Sequence, residues 1–285
     1  MIRVESISKH FGGLKAVNDA SIQIESGAIT GLIGPNGAGK TTLFNIIAGV
    51  YQPTSGKVFL DDEDITGLKP HQLFGKGLLR TFQIAHEFSR LTVLENLMMV
   101  PGGQMGESIT NTWFKRKEMM EQEKKIAQKA REVIDFLNLT HVIDELAGNL
   151  SGGQKKLLEL GRTMMVEAKV VLLDEVGAGV NRTLLYEIGD AILRLNRERG
   201  YTFCMIEHDM GFISRLCDPV IVMAEGAVLA QGTAEEVRSD EQVIEAYLGR
   251  GLKNKKDATS GEDRESSASS EVVSTREGNN EEAIS

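Results

Sequence analysis

The sequence predicts an α/β fold: a mostly parallel sheet wrapped by helices, with a helical insertion near the middle of the chain. Three observations predict it. Gly34-Pro35-Asn36-Gly37-Ala38-Gly39-Lys40-Thr41 reads G-x-x-x-x-G-K-T, a phosphate-binding loop, with a strand-like apolar run before it and a helical run after it. From Val170 onward, short apolar runs alternate with helical stretches, the order that builds parallel sheets. Between roughly 84 and 150 the apolar period becomes that of amphipathic helices.

The 285 residues, 41% of them hydrophobic, suffice for one α/β domain with an appendage and a sizeable core. A net charge of −9 gives no overall electrostatic case for nucleic acid or anionic lipid. Cys204 and Cys217 sit in apolar stretches without metal-like spacing, which reads as buried, reduced thiols in a cytosolic setting. The N-terminus alternates like a strand and lacks the apolar core of a signal segment. No apolar run approaches a membrane span, so a membrane role requires a partner.

In chain order, residues 2–7 and 20–25 alternate apolar and polar, as half-buried strands do. Between them, Phe11 beside Gly12 and Gly13 fits either a hydrophobic turn residue or an exposed ring on which a nucleotide base stacks. Ile29 to Ile33 is a short buried strand, and Leu43, Phe44, Ile46, Ile47 and Ala48 line one face of a helix that stops at Gly49. The loop between them suits an anion. Glycines let backbone N–H groups close round phosphate oxygens, Lys40 reaches the β- and γ-phosphates, and Thr41 offers its hydroxyl to Mg²⁺. Lys57 to Leu60 reads as a strand followed by a solvated acidic loop, Asp61 to Asp64, and Leu78 to Gln83 as another strand.

Residues 92–100 and 115–137 carry helical spacing, the second with Ile126, Ala130, Val133, Ile134 and Leu137 on one face and Glu121 and Lys125 at i, i+4. Pro101 to Thr112 reads as a loop, and the pairs Met98-Met99 and Met119-Met120 as packing residues rather than a metal site. Ile84 to Leu97 carries Phe88, Leu91, Val93 and Leu94 close together. These either fill the joint between core and helical section or form a groove for a partner's helix.

Leu150-Ser151-Gly152-Gly153-Gln154 opens a helix whose leucines turn inward. Its hydroxyl and glycines fit either an ordinary N-cap or a second anion site. One phosphate loop is already present, so the second reading pairs two chains head to tail. Each nucleotide then lies between one chain's Lys40 and the other's Ser151. Val170 to Glu175 is a buried strand ending in two acids, with Asp174 placed to help hold Mg²⁺ and Glu175 to face the water that attacks the γ-phosphate. A helix over 183–199, strands over 202–207, 219–224 and 227–231, and a short helix over 240–248 follow. His208, after its strand, can donate to the γ-phosphate. From Lys253 the chain is polar and predicted to be disordered.

The phosphate loop, Gln83, LSGGQ at 150–154, VVLLDE at 170–175 and His208, in this order and spacing, resemble the ATP-binding subunits of ABC transporters over about residues 1–249. HFGGLKAV at 10–17, RTFQ at 80–83, LTVLENLMMV at 91–100, IEHDM at 206–210 and VIEAYLG at 243–249 are similar to the branched-chain amino-acid importer group (LivG type), with urea and short-amide importers as close relatives. The resemblance implies a P-loop NTPase (RecA-like) core with an antiparallel β subdomain and an inserted helical signature subdomain. It divides the chain into a split core, 1–83 and 161–249, a helical subdomain, 84–160, and a polar tail, 250–285.

Carried over residue by residue, it implies that Phe11 stacks on adenine and that Asn36, Gly37, Gly39, Lys40, Thr41 and Thr42 take the phosphates of ATP. Ser151, Gly152, Gly153 and Gln154 clasp the partner's nucleotide; Thr41, Gln83 and Asp174 surround Mg²⁺; Glu175 is the base, His208 the switch and Gln83 the sensor of metal and water. It implies a homo- or heterodimer with a second ATPase subunit, integral-membrane permeases, an indirect extracytoplasmic solute-binding protein, no nucleic acid, and a place on the cytoplasmic face of the inner membrane. Soluble ABC ATPases of DNA or ribosomes carry long coiled-coil insertions or two cassettes, and this chain has neither. A regulator without turnover would not need Glu175 and His208. The chain departs from the family's pattern at Val176, where proline is usual, and at Ala178-Gly179-Val180-Asn181-Arg182. Asn181 remains able to make a hydrogen bond across the dimer.

Overall fold

The computed structural model describes residues 1–80, 87–104, 115–166 and 168–248. The chain forms two compact units, 1–238 and 239–285. In the second, residues 241–248 are helical, and the Asp240 carboxylate accepts the N–H groups of Gln242 and Val243 at 2.8 and 3.2 Å.

The first unit holds two sheets. Its strands are β1 (Ile2–Phe11), β2 (Leu14–Ile24), β3 (Ile29–Ile33), β4 (Ser55–Leu60), β5 (Glu63–Asp64), β6 (Leu78–Arg80), β7 (Val170–Asp174), β8 (Thr202–Ile206), β9 (Val220–Ala224) and β10 (Ala227–Gly232). The larger sheet runs β10-β9-β3-β8-β7-β6, and the smaller, antiparallel one β2-β1-β4-β5. Every residue of β3, β7 and β8 is buried, as expected of parallel strands covered on both faces. The alternating strands at the N-terminus bury one face only.

Helix α1 (Lys40–Ile47) follows the phosphate loop and inserts Leu43, Phe44 and Ile47 into a core shared by both sheets. The helical section contains α3 (Val93–Met98), α4 (Arg116–Phe136) and α5 (Gly152–Met165), which pack on one another. Fully buried Asn96 accepts the Phe88 N–H and donates to the carbonyls of Phe88, Leu91 and Thr92, tying the entry loop to α3. Helices α6 (Arg182–Arg199), α7 (Met210–Leu216) and α8 (Ala234–Ser239) complete the unit.

Several expectations change. β10 pairs antiparallel with β9 and makes an edge where the alternation predicted another parallel strand. Glu63 and Asp64 pair with β4 and are not a free loop, because Asp61 and Asp62 turn the chain with positive φ. Helix α2 (Pro70–Gly75) carries only Leu73 into the interior, too little apolar signal to stand out in the sequence. Met98 and Met119 are half-buried while Met99 and Met120 are exposed, so one methionine of each pair packs and the other faces solvent. Ala130, Val133, Ile134 and Leu137 are buried on α4 as their spacing predicts, whereas Glu121 and Lys125 form no ion pair with each other. Gln83, the residues of the predicted loop beyond Gln104, and the polar tail lie outside the described residues. No helix among the described residues is long and apolar enough to cross a membrane.

Candidate nucleotide site

The phosphate loop leaves β3 and turns into α1 through two glycines that nothing larger can replace. Gly34 has φ 145°, and a Cβ there would stand 2.1 Å from the Met223 carbonyl oxygen. Gly39 has φ 98°, and a Cβ would meet the Ala16 carbonyl oxygen at 2.4 Å. The loop is thus clamped between β9 and β2. Lys40 is buried, and its Nζ donates to the carbonyls of Gly34 and Pro35 at 2.7 and 3.1 Å. A cleft of about 160 Å³ is lined by Asn36, Gly37, Ala38, Gly39, Lys40, Thr41, Thr42, Glu175 and His208. Strand order explains the meeting. β3, β8 and β7 are neighbours and parallel, so the residues after their C-terminal ends share one edge.

At that edge His208 Nε2 donates to Glu175 Oε1 at 2.8 Å. Glu175 has φ 51°, and its N–H is fixed by the Ile206 carbonyl at 2.9 Å. A left-handed non-glycine residue at a cleft stores strain that the neighbouring strand must hold. Asp174 ends β7, buried, with Oδ2 accepting from Arg80 Nη2 at 2.6 Å, while Arg80 also bonds the Asn45 side-chain oxygen on α1. Thr41 is exposed on the cleft lining, whereas Asp174 is not part of that lining. A hydroxyl and a buried carboxylate are the ligand types Mg²⁺ takes alongside phosphate oxygens and water, without a cage of protein ligands. No group of three or more His, Cys, Asp or Glu able to hold a metal occurs among the described residues.

Two residues to which the sequence assigned no role, although both lie inside stretches that carry the family resemblance, take part in the site. Arg80 is one, and Glu207 is the other. Glu207 is buried, and its carboxylate accepts the Gly177 N–H at 2.7 Å and the His208 N–H at 3.3 Å, joining the loop after Glu175 to the loop that carries His208. Burial pushes its carboxyl above the ordinary range despite these donors, and the charge of Glu175 adds to the rise.

Phe11 ends β1 with its ring 43% exposed, touched edge-on by Tyr51 at 5.5 Å and faced by Lys9 Nζ at 5.1 Å. The ring is therefore accessible, on a strand end and not within an irregular loop.

Ser151, Gly152, Gly153 and Gln154 lie apart from the cleft. Ser151 Oγ accepts the Gln154 N–H at 3.3 Å and Gln154 Oε1 accepts the Ser151 N–H at 2.9 Å, a reciprocal cap on α5. Ser151 and Gly152 are exposed, whereas Gly153 is glycine because a Cβ there would stand 1.3 Å from Leu184 Cδ2. Val176 is buried, and Asn181 Oδ1 caps α6 by accepting the Leu184 N–H at 2.9 Å.

Known proteins resemble the chain throughout this region. A family model described as "ABC transporter" matches residues 17–178, and one described as "Branched-chain amino acid ATP-binding cassette transporter" matches residues 227–253. A probable branched-chain amino acid transport ATP-binding protein LivG of Archaeoglobus fulgidus is 40% identical over 252 residues, 87% of this chain and 95% of that one. The high-affinity branched-chain amino acid transport ATP-binding protein BraF of Pseudomonas aeruginosa is 37% identical over 87% of this chain and 98% of its own. Among solved structures, the ADP conformation of an ATP-binding cassette of an ABC transporter superposes with a TM-score of 0.75 at 38% identity, covering 87% of this chain and 98% of that one. The chain belongs to the ATP-binding proteins of ABC transporters, in their branched-chain amino acid group.

Proposed function

We propose that this chain hydrolyses ATP at an interface between two cassettes and thereby energises uptake of branched-chain amino acids through permeases, from the cytoplasmic face of the membrane. The observation that carries the reading is a division of labour. Phosphate loop, Glu175 and His208 share one cleft, while Ser151 and Gly152 stand exposed at the start of a helix outside it. An anion site completed by another chain's helix N-terminus needs such a division.

In this mechanism, backbone amides of the loop and Lys40 bind the β- and γ-phosphates, and Lys40 exchanges its carbonyl partners for phosphate oxygens. Phe11 stacks on the base. Thr41 and Asp174 would hold Mg²⁺, with Gln83 assigned to the same shell by its motif; bound there, the ion would neutralise charge on the phosphates. Glu175 accepts the proton of the attacking water, and His208, already hydrogen-bonded to Glu175, donates to the γ-phosphate. Ser151, Gly152, Gly153 and Gln154 of the second cassette close on the same phosphate. The helical section, 84–160, moves against the split core as that closure occurs.

The permease contact is assigned to a groove of about 730 Å³ lined mainly by apolar side chains, among them Val50, Phe74, Leu79, Phe88 and Val100. Phe88 is half exposed with the Arg162 guanidinium 5.5 Å from its ring, whereas Val93 is fully buried and fills the joint. A short cytoplasmic helix of a permease fits such a groove. The test is reconstitution with the permease partners in vesicles. ATP-driven uptake of leucine, isoleucine or valine, and not urea, is expected. Phe88→Asp removes permease co-purification and uptake while basal ATPase stays within about three-fold. Urea uptake, or normal permease binding by Phe88→Asp, contradicts the respective assignment.

A further inference from the structure

Arg80 stands between the metal-site carboxylate and the apolar groove. Its Nη2 donates to Asp174 Oδ2 at 2.6 Å, and its Nη1 bonds Oδ1 of Asn45, which lies on the helix that begins with Lys40 and Thr41. The ion pair is nearly desolvated, with side-chain exposures of 15% for Arg80 and 4% for Asp174. Removing one partner of such a pair leaves a buried charge without compensation. Arg80 Nε is buried and has no acceptor, so the guanidinium is not fully satisfied in its present position. Arg80 is also one of the residues that line the groove. One residue thus meets β7, α1 and the groove.

We propose that Arg80 is a positioning residue that links occupancy of the groove to the cation at Asp174. Without the cation, its guanidinium neutralises Asp174. With a divalent ion held at Asp174, the Arg80 guanidinium would turn toward the groove, where its Nε–H would gain room for an acceptor. Linkage makes the effect reciprocal: an oxygen acceptor seated in the groove draws Arg80 away and tightens metal binding. The inference rests on the permease reading for the identity of the groove's occupant alone. The link itself is measured on the purified chain, so its failure leaves that reading standing, and loss of the permease contact leaves the link standing.

Mn²⁺ is the probe, titrated by electron paramagnetic resonance into chain saturated with ADP. Arg80→Met tightens Mn²⁺ binding about ten-fold, because a buried carboxylate loses its competing cation, while ADP affinity in EDTA stays within about two-fold. Arg80→Gln, which keeps a donor for Asp174 without the charge, tightens it likewise and serves if Arg80→Met does not fold. Arg80→Lys, a cation without the planar fork, stays near the parent value. Phe74→Trp places a reporter on the groove wall. Its emission, corrected for the single native tryptophan, shifts when Mg²⁺ is added to ADP-loaded chain, and the shift is lost with Arg80→Met. Mn²⁺ affinity that is unchanged or weaker in the neutral variants, or a tryptophan shift that survives Arg80→Met, overturns the proposal.

Discussion

The two halves of the candidate site differ in how they are held. The phosphate-loop half is locked: Gly34 and Gly39 admit no side chain, Lys40 is buried, and Glu175 is pinned by Ile206 and His208. The Ser151 half is presented. Its capping bonds close between Ser151 and Gln154, with Gln154 Nε2 also 3.3 Å from His141 Nε2, and its hydroxyl stands exposed at the start of α5. A locked half preorganises phosphate oxygens and water, whereas a presented half waits for something outside the chain. Under the proposed reading, the difference assigns binding to one chain and turnover to the pair.

Substitutions on the locked half test this most harshly. Lys40→Ala loses the cation that meets the phosphates, so nucleotide affinity falls by about a hundred-fold or more in equilibrium dialysis, and turnover is lost with it. Glu175→Gln keeps every phosphate contact, and kcat falls about a hundred- to thousand-fold while Kd for ATP moves by less than a factor of about three. Retained activity in Glu175→Gln would move the base elsewhere, Glu207, buried and bonded to the His208 N–H, being one alternative.

On the presented half, Ser151→Asp sharpens the contrast. Aspartate still caps α5, so the melting temperature holds, but its charge opposes the partner's γ-phosphate and turnover drops about ten-fold or more. Nucleotide affinity of the isolated chain should not change. If it does, Ser151 contacts nucleotide within its own chain and the division of labour fails.

The smallest effect is expected at Glu207, where the two loops of the locked half are joined. Its folded carboxyl titrates above the ordinary value of 4.5, so the folded chain binds more protons than the unfolded one between those two values. The stability it contributes is therefore greatest below 4.5 and falls as pH rises through the folded value. Glu207→Gln keeps an acceptor for the Gly177 N–H without the buried charge. Its melting temperature should exceed the parent's at neutral pH by a few degrees, about 1 °C to 4 °C, and the gain should vanish toward pH 4.5. A loss at neutral pH would mean that the charge-assisted bond to Gly177 outweighs burial.

The sequence was most legible where chemistry fixes spacing within one segment. The loop at 34–42, the acids after 170–173 and the cap at 151–154 all fall where their residue patterns place them, because each pattern needs only neighbours along the chain. Contacts made across the fold were silent. Arg80 and Asp174 are joined only because β6 and β7 pair in register, Arg80 opposite Leu172. Glu207 is a buried acid only because Gly177 comes to it from another loop. The antiparallel direction of β10 follows from the tight turn at Glu225 and Gly226, both with positive φ, which the alternation of elements did not reveal. Asn181 illustrates the limit from the other side. A hydrogen bond to a second chain was expected of it, and within this chain its side-chain oxygen already caps α6.

The central claim is that each nucleotide site is completed by a second chain's Ser151. Light scattering of Glu175→Gln with MgATP tests it most directly, because bound ATP then persists. The mass of a single chain is 31.2 kDa. Glu175→Gln should move to twice that mass on addition of MgATP, and Glu175→Gln combined with Ser151→Asp should remain at the single-chain mass while binding ATP equally well. A double variant that dimerises as fully as Glu175→Gln would contradict the claim.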